Sequence, residues 1–289
     1  MSAEIAFSDF IQMKYRHSFH AGNFADIHKH VTLLALLRAL KRKDKGFAYF
    51  ETHAGRGSYD VSNSTSEGAG GVGRIVASEP GAEELRDFAA LLANFRANRN
   101  QPQAYPGSPL IAARELRDQD RGVLSELIPS EVRLLERELE TNRHLRVERG
   151  DGFERLRAWL PPKERRGLVL IDPPYEESRQ DLERVTAAIV DALQRFATGV
   201  YVAWYPIKDE RDIRAWHDGF ARVVAAETLV SEIWLYPRDS KVALNGSGLL
   251  IVNPPYQLAE RMQTWLPELQ ARLDVGQAGG TRVMQLRSA

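Results

Sequence analysis

The run Leu170-Ile171-Asp172-Pro173-Pro174-Tyr175 joins an apolar segment to a carboxylate, two prolines and a phenol. Those residue types in that order suit the activation of an exocyclic amine. Such an amine is a poor nucleophile because its lone pair is delocalised into the ring. An acceptor that takes a hydrogen bond from the amine localises the pair as an electrophile arrives. Asp172 can be that acceptor, and Pro173 and Pro174 fix the backbone so that a main-chain carbonyl can be another. Tyr175 offers a ring on which an extruded base can stack. The plain alternative is a proline-rich strand exit with a buried tyrosine.

A second copy of the pattern, Asn253-Pro254-Pro255-Tyr256, follows Ile251-Val252. It lacks upstream acidic strand ends at suitable distances, and little more than one helix can follow it. A structural strand exit is expected there. The Asp172 motif has those partners. Phe50-Glu-Thr-His-Ala-Gly-Arg-Gly57 ends a strand with two close glycines, so Gly55 lets backbone approach a ligand where a side chain would collide. Glu126 ends Val123-Leu-Ser-Glu126, where doubly wound folds place a carboxylate for ribose hydroxyls. Asp151 follows Val147-Glu-Arg-Gly150, where an acid can meet an adenine amino group, and Asp151-Gly-Phe-Glu154 reads as a capped helix start.

These positions need a scaffold that aligns strand ends. From Phe47 onward, apolar segments alternate with amphipathic ones, which predicts a mostly parallel, doubly wound sheet with crossover helices. Strands are expected at Phe47–Glu51, Val123–Glu126, Leu145–Glu148, Gly167–Ile171, Val200–Trp204 and Gly248–Val252. Helices are expected at Val31–Leu40, Pro109–Arg117, Glu131–Glu140, Gly152–Leu160, Asp181–Phe196 and Glu210–Phe220. About 60 residues separate the glycine turn from Val123, where a βα unit needs about half as many. Helical spacing over Glu83–Ala97 then predicts an inserted helical subdomain at 59–104, between the two parts of the main domain, 13–58 and 105–289. Its Arg86, Arg96 and Arg99 are candidate RNA contacts.

Composition excludes several chemistries. Without cysteine there are no disulfides, no thiolate metal sites and no covalent thiol adduct of the kind cytosine C5 methylation requires. Four of the seven histidines lie between His17 and His30, but His28 and His30 would diverge on a helix, so no metal is expected. No apolar run reaches about 20 residues, and Met1–Gln12 lacks a signal-peptide pattern, so a cytoplasmic protein is expected. Lys plus Arg equals Asp plus Glu, 39 against 39, so any nucleic-acid surface must be a local patch such as Lys41–Lys45.

Longer motifs resemble one family. Tyr15-Arg-His-Ser-Phe-His-Ala-Gly-Asn23, Lys29-His30, Thr52-His-Ala-Gly55, Tyr105-Pro-Gly-Ser-Pro109, Glu126, Asp151-Gly-Phe153, Arg165-Arg-Gly-Leu168, Ile171–Tyr175, Arg195-Phe-Ala-Thr-Gly199 and Trp204-Tyr-Pro206 are similar to those of the RlmJ family. The resemblance implies N6-methylation of adenine 2030 of 23S rRNA from S-adenosylmethionine, by a monomer acting on protein-free rRNA. It also implies a Rossmann-like class I methyltransferase core with a helical insertion. It places cofactor contacts at His30, His53, Ser108, Glu126, Gly150, Asp151 and Asp172, with Asp172 catalytic. Tyr15, His17 and Lys29 match an amino-terminal motif that closes over cofactor and substrate. A mobile lid is therefore expected over Tyr15–His30, hinged at Ala21-Gly22-Asn23, with Lys29 and His30 meeting the cofactor at a helix start. Residues 1–12 precede the usual family start and are expected to be dispensable. Two other readings remain: a DNA adenine-N6 methyltransferase that shares the Asp172 logic, and a catalytically silent nucleic-acid-binding scaffold.

Overall fold

A computed structural model describes residues 21–62, 71–176, 178–238, 244–276 and 278–287. The run Gly167–Ile171 shows how the layers arise. Its side chains alternate across the pleat, so Leu168 and Leu170 enter one core while Val169 and Ile171 enter the other. A strand buried on both faces needs helices on both, and the chain provides them.

The strands are β1 (Ala48–Glu51), β2 (Ser58–Asp60), β3 (Ala104–Pro106), β4 (Arg121–Glu126), β5 (Leu145–Arg149), β6 (Gly167–Ile171), β7 (Val200–Ile207), β8 (Thr228–Trp234), β9 (Gly246–Val252) and β10 (Gly280–Leu286). Eight form one sheet in the order β10-β8-β9-β7-β6-β1-β4-β5, and β2 and β3 form a small separate ladder. Strands β5, β4, β1, β6 and β7 are mutually parallel; β9 runs antiparallel to both β7 and β8. This is a Rossmann-like, doubly wound arrangement of mostly parallel strands. Strands β8 and β10 were not expected from sequence.

Helices α1 (Phe24–Lys41), α2 (Val72–Val76), α3 (Glu83–Arg99), α4 (Ser108–Glu115), α5 (Pro129–Glu138) and α9 (Leu258–Leu273) pack towards one core. Helices α6 (Gly152–Trp159), α7 (Ser178–Arg195) and α8 (Glu210–Val223) cover the other face. Asn23 caps α1 by accepting from the Asp26 amide at 3.0 Å, and the helix is buried from Phe24 through Leu37. It begins seven residues earlier than the expected Val31. Lys29 and His30 thus lie inside a buried helix rather than at a helix start, which removes residues 24–30 from the expected lid. Tyr15 and His17, and residues 1–12, lie outside the described residues.

Between β2 and β3, α2 and α3 send Val72, Ile75, Leu85, Phe88, Leu91 and Leu92 into the same core as α1 and α9. Helix α9 also caps α3, because Glu268 accepts from the Gly81 and Ala82 amides at 2.8 and 2.7 Å. The three arginines expected to reach RNA also have partners within the chain. Arg86 donates to the Gly81 carbonyl and Arg96 to the Ala104 carbonyl, while Arg99 pairs with Glu138 and lies over Phe95.

Candidate active site

Parallel pairing sets the carboxyl ends of β6, β1, β4 and β5 side by side, and each ends on or just before an acid. Glu51 pairs with Leu170 and Leu124, and Glu126 with Arg149, so Asp172, Glu51, Glu126 and Asp151 follow one another along the edge. Three strand steps span about 14 Å. A nucleoside-sized ligand laid along that edge meets a different acid at each step.

Asp172 stands at the β6 end. Its Oδ2 receives Lys29 Nζ at 2.5 Å, and the same ammonium reaches Asp26 Oδ1 at 2.9 Å. The Lys29 side chain is only 4% exposed, so its charge depends on those two carboxylates. Burial alone would lower its pKa, but Asp172 and Asp26 outweigh burial and hold it above the ordinary value. Asp172 therefore serves the packing as well as the edge: its side chain is 12% exposed and neutralises a buried cation.

The β1 end was under-read. Glu51 is fully buried, accepts from Tyr49 Oη at 2.9 Å and also from the Ser108 hydroxyl. Burial pushes its carboxyl up to about 8; the Ser108 and Tyr49 hydrogen bonds and Lys29 oppose this, and Asp172 adds to it. Ser108 arrives because the β2–β3 ladder returns the chain to β1, where the Gly107 amide donates to the Gly57 carbonyl at 2.7 Å. The signal was available, since Glu51 is an acid ending an apolar strand, the criterion that selects Glu126.

Gly55 and Glu126 form one unit. Gly55 has φ +64°, and its amide donates to Glu126 Oε2 at 2.8 Å while the Ile128 amide donates to Oε1 at 2.8 Å. Burial pushes the Glu126 carboxyl up, against those two amides. A carboxylate offers about four lone-pair sites, so accepting capacity for hydroxyls remains. At the β5 end, the Gly150 amide donates to the Glu126 carbonyl at 3.1 Å and the Gly150 carbonyl accepts from Ser125 Oγ at 2.8 Å. Asp151 caps α6 through the Phe153 amide at 2.8 Å. Gly152 must be glycine, since a Cβ there would strike the Thr52 carbonyl.

The two histidines have separate settings. His30 is buried, stacks on Tyr105 and has Nδ1 2.6 Å from its hydroxyl. His53 is half-buried, with Nδ1 2.8 Å from Thr52 Oγ1 and its ring edge-on to Phe153. Burial lowers its pKa to about 4, so it is neutral near pH 7. Pro173 is buried and Pro174 exposed. Tyr175 has φ +51°, is 2% exposed, and donates its hydroxyl to the Trp204 carbonyl. Its ring is thus packed edge-on against Trp204 rather than free to receive a base. It also borders a cleft of about 670 Å³ with Leu182, Pro206, Trp216 and Phe220.

The second Pro-Pro-Tyr turn is elsewhere. Because β9 opposes β7, with Val252 beside Tyr201, Asn253 emerges at the amino edge of the parallel strands. Its side chain donates to the Ala197 and Gly199 carbonyls at 2.9 and 2.7 Å, as a strand-exit anchor would. Among the described residues no group of His, Asp and Glu side chains is placed to hold a metal, and no helix is long and apolar enough to cross a membrane.

A family model described as ribosomal RNA large subunit methyltransferase D, RlmJ, matches residues 44–286. Two curated relatives are each described as ribosomal RNA large subunit methyltransferase J. The one from Escherichia coli strain K12 is 39% identical and the one from Haemophilus influenzae 38%, each over 90% of this chain and 94% of the relative. A crystal structure of a Legionella pneumophila protein matches with TM-score 0.84 and 34% identity, covering 92% of this chain and 98% of that one.

Proposed function

The chain belongs to the RlmJ family, and from that premise we propose that it transfers a methyl group from S-adenosylmethionine to the N6 amine of one adenine in 23S rRNA, the position numbered 2030. It does so as a cytoplasmic monomer acting on protein-free rRNA. The observation that carries this reading is the placement of Asp172. It ends the central β6 strand beside Glu51, Glu126 and Asp151, with one oxygen held by Lys29.

The chain's own residues divide the work. Glu126 accepts from ribose hydroxyls, and Gly150 and Asp151 meet the nucleoside base. His30, His53, Ser108 and Lys29 surround the amino-acid end, with Gly55 giving backbone access. When bound, S-adenosylmethionine supplies the electrophilic methyl. Lys29 occupies Oδ2 of Asp172; among the described residues no donor reaches Oδ1. That oxygen accepts a hydrogen bond from the substrate amine and localises the nitrogen lone pair. As the N–C bond formed, the methyl–sulfur bond of the donor would break to leave S-adenosylhomocysteine, and the amine would shed one proton towards Asp172 and on to solvent. Tyr15 and His17 belong to the same proposal as residues that cover the base.

The test uses 23S rRNA lacking this methyl group, labelled cofactor and mapping of the modified nucleotide. A single N6-methyladenine at that position is expected. Label on another nucleotide, label only in a DNA substrate, or none at all overturns the reading.

A further inference from the structure

Two features take no part in the site: the basic turn after α1 and the Asn253-Pro-Pro-Tyr256 turn. They share one edge of the sheet. The turn at 42–47 leads into the start of β1, and the antiparallel β9 delivers Asn253 to that same edge. From β1 across β6 and β7 to β9 is three strand steps, about 14 Å.

The basic turn is held in place by its backbone. Arg117 donates to the Lys41 and Lys43 carbonyls at 3.2 and 3.1 Å, and Gln119 donates to the Asp44 carbonyl at 3.1 Å. Arg166 donates to the Leu40 carbonyl at 2.7 Å and to that of Lys45. With the main chain fixed, the side chains of Arg42, Lys43 and Lys45 are left exposed. Among the described residues none of these three, nor Arg166, forms an ion pair, whereas arginines elsewhere in the chain regularly do. Like charges fixed together repel, and a polyanion relieves that repulsion.

The aromatic partner is held just as firmly. Asn253 has φ +53°, anchors to two carbonyls through its side chain, and donates its amide to the Glu227 carbonyl at 2.8 Å. Two prolines follow, and the Leu258 amide closes the turn on the Pro255 carbonyl at 3.1 Å. Tyr256 emerges 85% exposed. An exposed ring on a fixed backbone turn, at the same sheet edge as unpaired cations, is the combination that binds single-stranded nucleic acid by stacking and phosphate contact. Acidic protein surfaces and lipid headgroups would use the cations but leave the ring idle.

We propose that this edge is a second RNA-contact surface, on which rRNA phosphates lie against Arg42, Lys43 and Lys45 while an unpaired base stacks on Tyr256. The inference rests on the reading of the substrate as rRNA. It assigns this face to a stretch of the rRNA other than the reacting adenine, because about 17 Å of strand separates the two edges.

The test compares the parent chain with the triple variant Arg42→Ala/Lys43→Ala/Lys45→Ala and with Tyr256→Ala and Tyr256→Phe. Full-length 23S rRNA binding is measured by filter retention across a salt series, independently of methyl transfer. The triple variant should show a log–log salt slope shallower by about two to three. Tyr256→Ala should weaken binding roughly tenfold, and Tyr256→Phe should bind like the parent. Turnover at saturating RNA, cofactor affinity by calorimetry and melting temperature should stay at parental values. Unchanged RNA affinity and salt slope overturn the proposal, as does loss of binding to phosphatidylserine vesicles with RNA binding intact. A parent that binds rRNA through this edge yet methylates none would overturn the functional reading instead.

Discussion

Asp172-Pro-Pro-Tyr175 follows β6 and Asn253-Pro-Pro-Tyr256 follows β9, in one sheet, and their surroundings differ at every residue. The first leaves at the carboxyl edge of the parallel strands, the second at the amino edge. In the first, the acid faces a buried ammonium and the tyrosine is 2% exposed; in the second, the amide ties down two carbonyls and the tyrosine is 85% exposed. The left-handed residue is the fourth of one turn and the first of the other, Tyr175 at φ +51° and Asn253 at φ +53°. Strand direction decides what a motif can do, because direction determines which edge the motif reaches.

The largest expected effect separates the two turns by chemistry. Asp172→Asn should lower methyl transfer about a thousandfold, in line with loss of a group aimed at developing charge. Asn253→Ala should leave turnover within about twofold. Equal losses in a labelled-methyl assay would erase the distinction.

Next in size is the response of the neighbouring acid to pH. The Glu51 carboxyl is raised from 4.5 to about 8, so the folded state holds a proton that the unfolded chain releases. Its contribution to stability is therefore present below pH 4.5 and lost as pH rises towards 8. Denaturant unfolding of Glu51→Gln should show a flatter stability profile over that window than the parent. Parallel profiles would mean that Glu51 is ionised in the fold.

Smaller effects concern stability at each turn. Asn253→Ala removes two hydrogen bonds and leaves a non-glycine residue at positive φ, so unfolding should be easier by about 2 kcal/mol. Tyr175→Phe removes only the hydroxyl that donates to the Trp204 carbonyl. A loss of about 1 kcal/mol is expected, with turnover retained if the tyrosine serves packing. A large fall in turnover without loss of stability would instead give the Tyr175 hydroxyl a direct part in the reaction.

Much of this was legible from residue types. An apolar strand ending in an acid located β4 and β6 and, with the glycine turn, the order of the edge. What stayed hidden depended on distant partners. Strand β8 reads poorly because Ser231 and Glu232 interrupt its apolar pattern; they are buried there because His28 meets Ser231 at 2.9 Å and Arg238 meets Glu232 at 3.3 Å. The start of α1 was obscured likewise, since Asp26, His28 and Lys29 look solvent-seeking until Asp172 and Ser247 are placed against them. The intramolecular partners of Arg86, Arg96 and Arg99 were hidden for the converse reason. Charge is visible in a sequence, but the carbonyl or carboxylate that engages it is not.

The position of β1 also shapes how the chain is made. It is inserted between β4 and β6, both of which follow it in the sequence, and α1 precedes them all. On a ribosome, Glu51 emerges about 120 residues before Ile171, an interval of roughly 6–24 s at the usual 5–20 residues per second. Strand β4 is complete after about 75 of those residues, but until β6 follows, α1, which the finished fold covers from Phe24 through Leu37, still lacks one of the two strands that later flank β1.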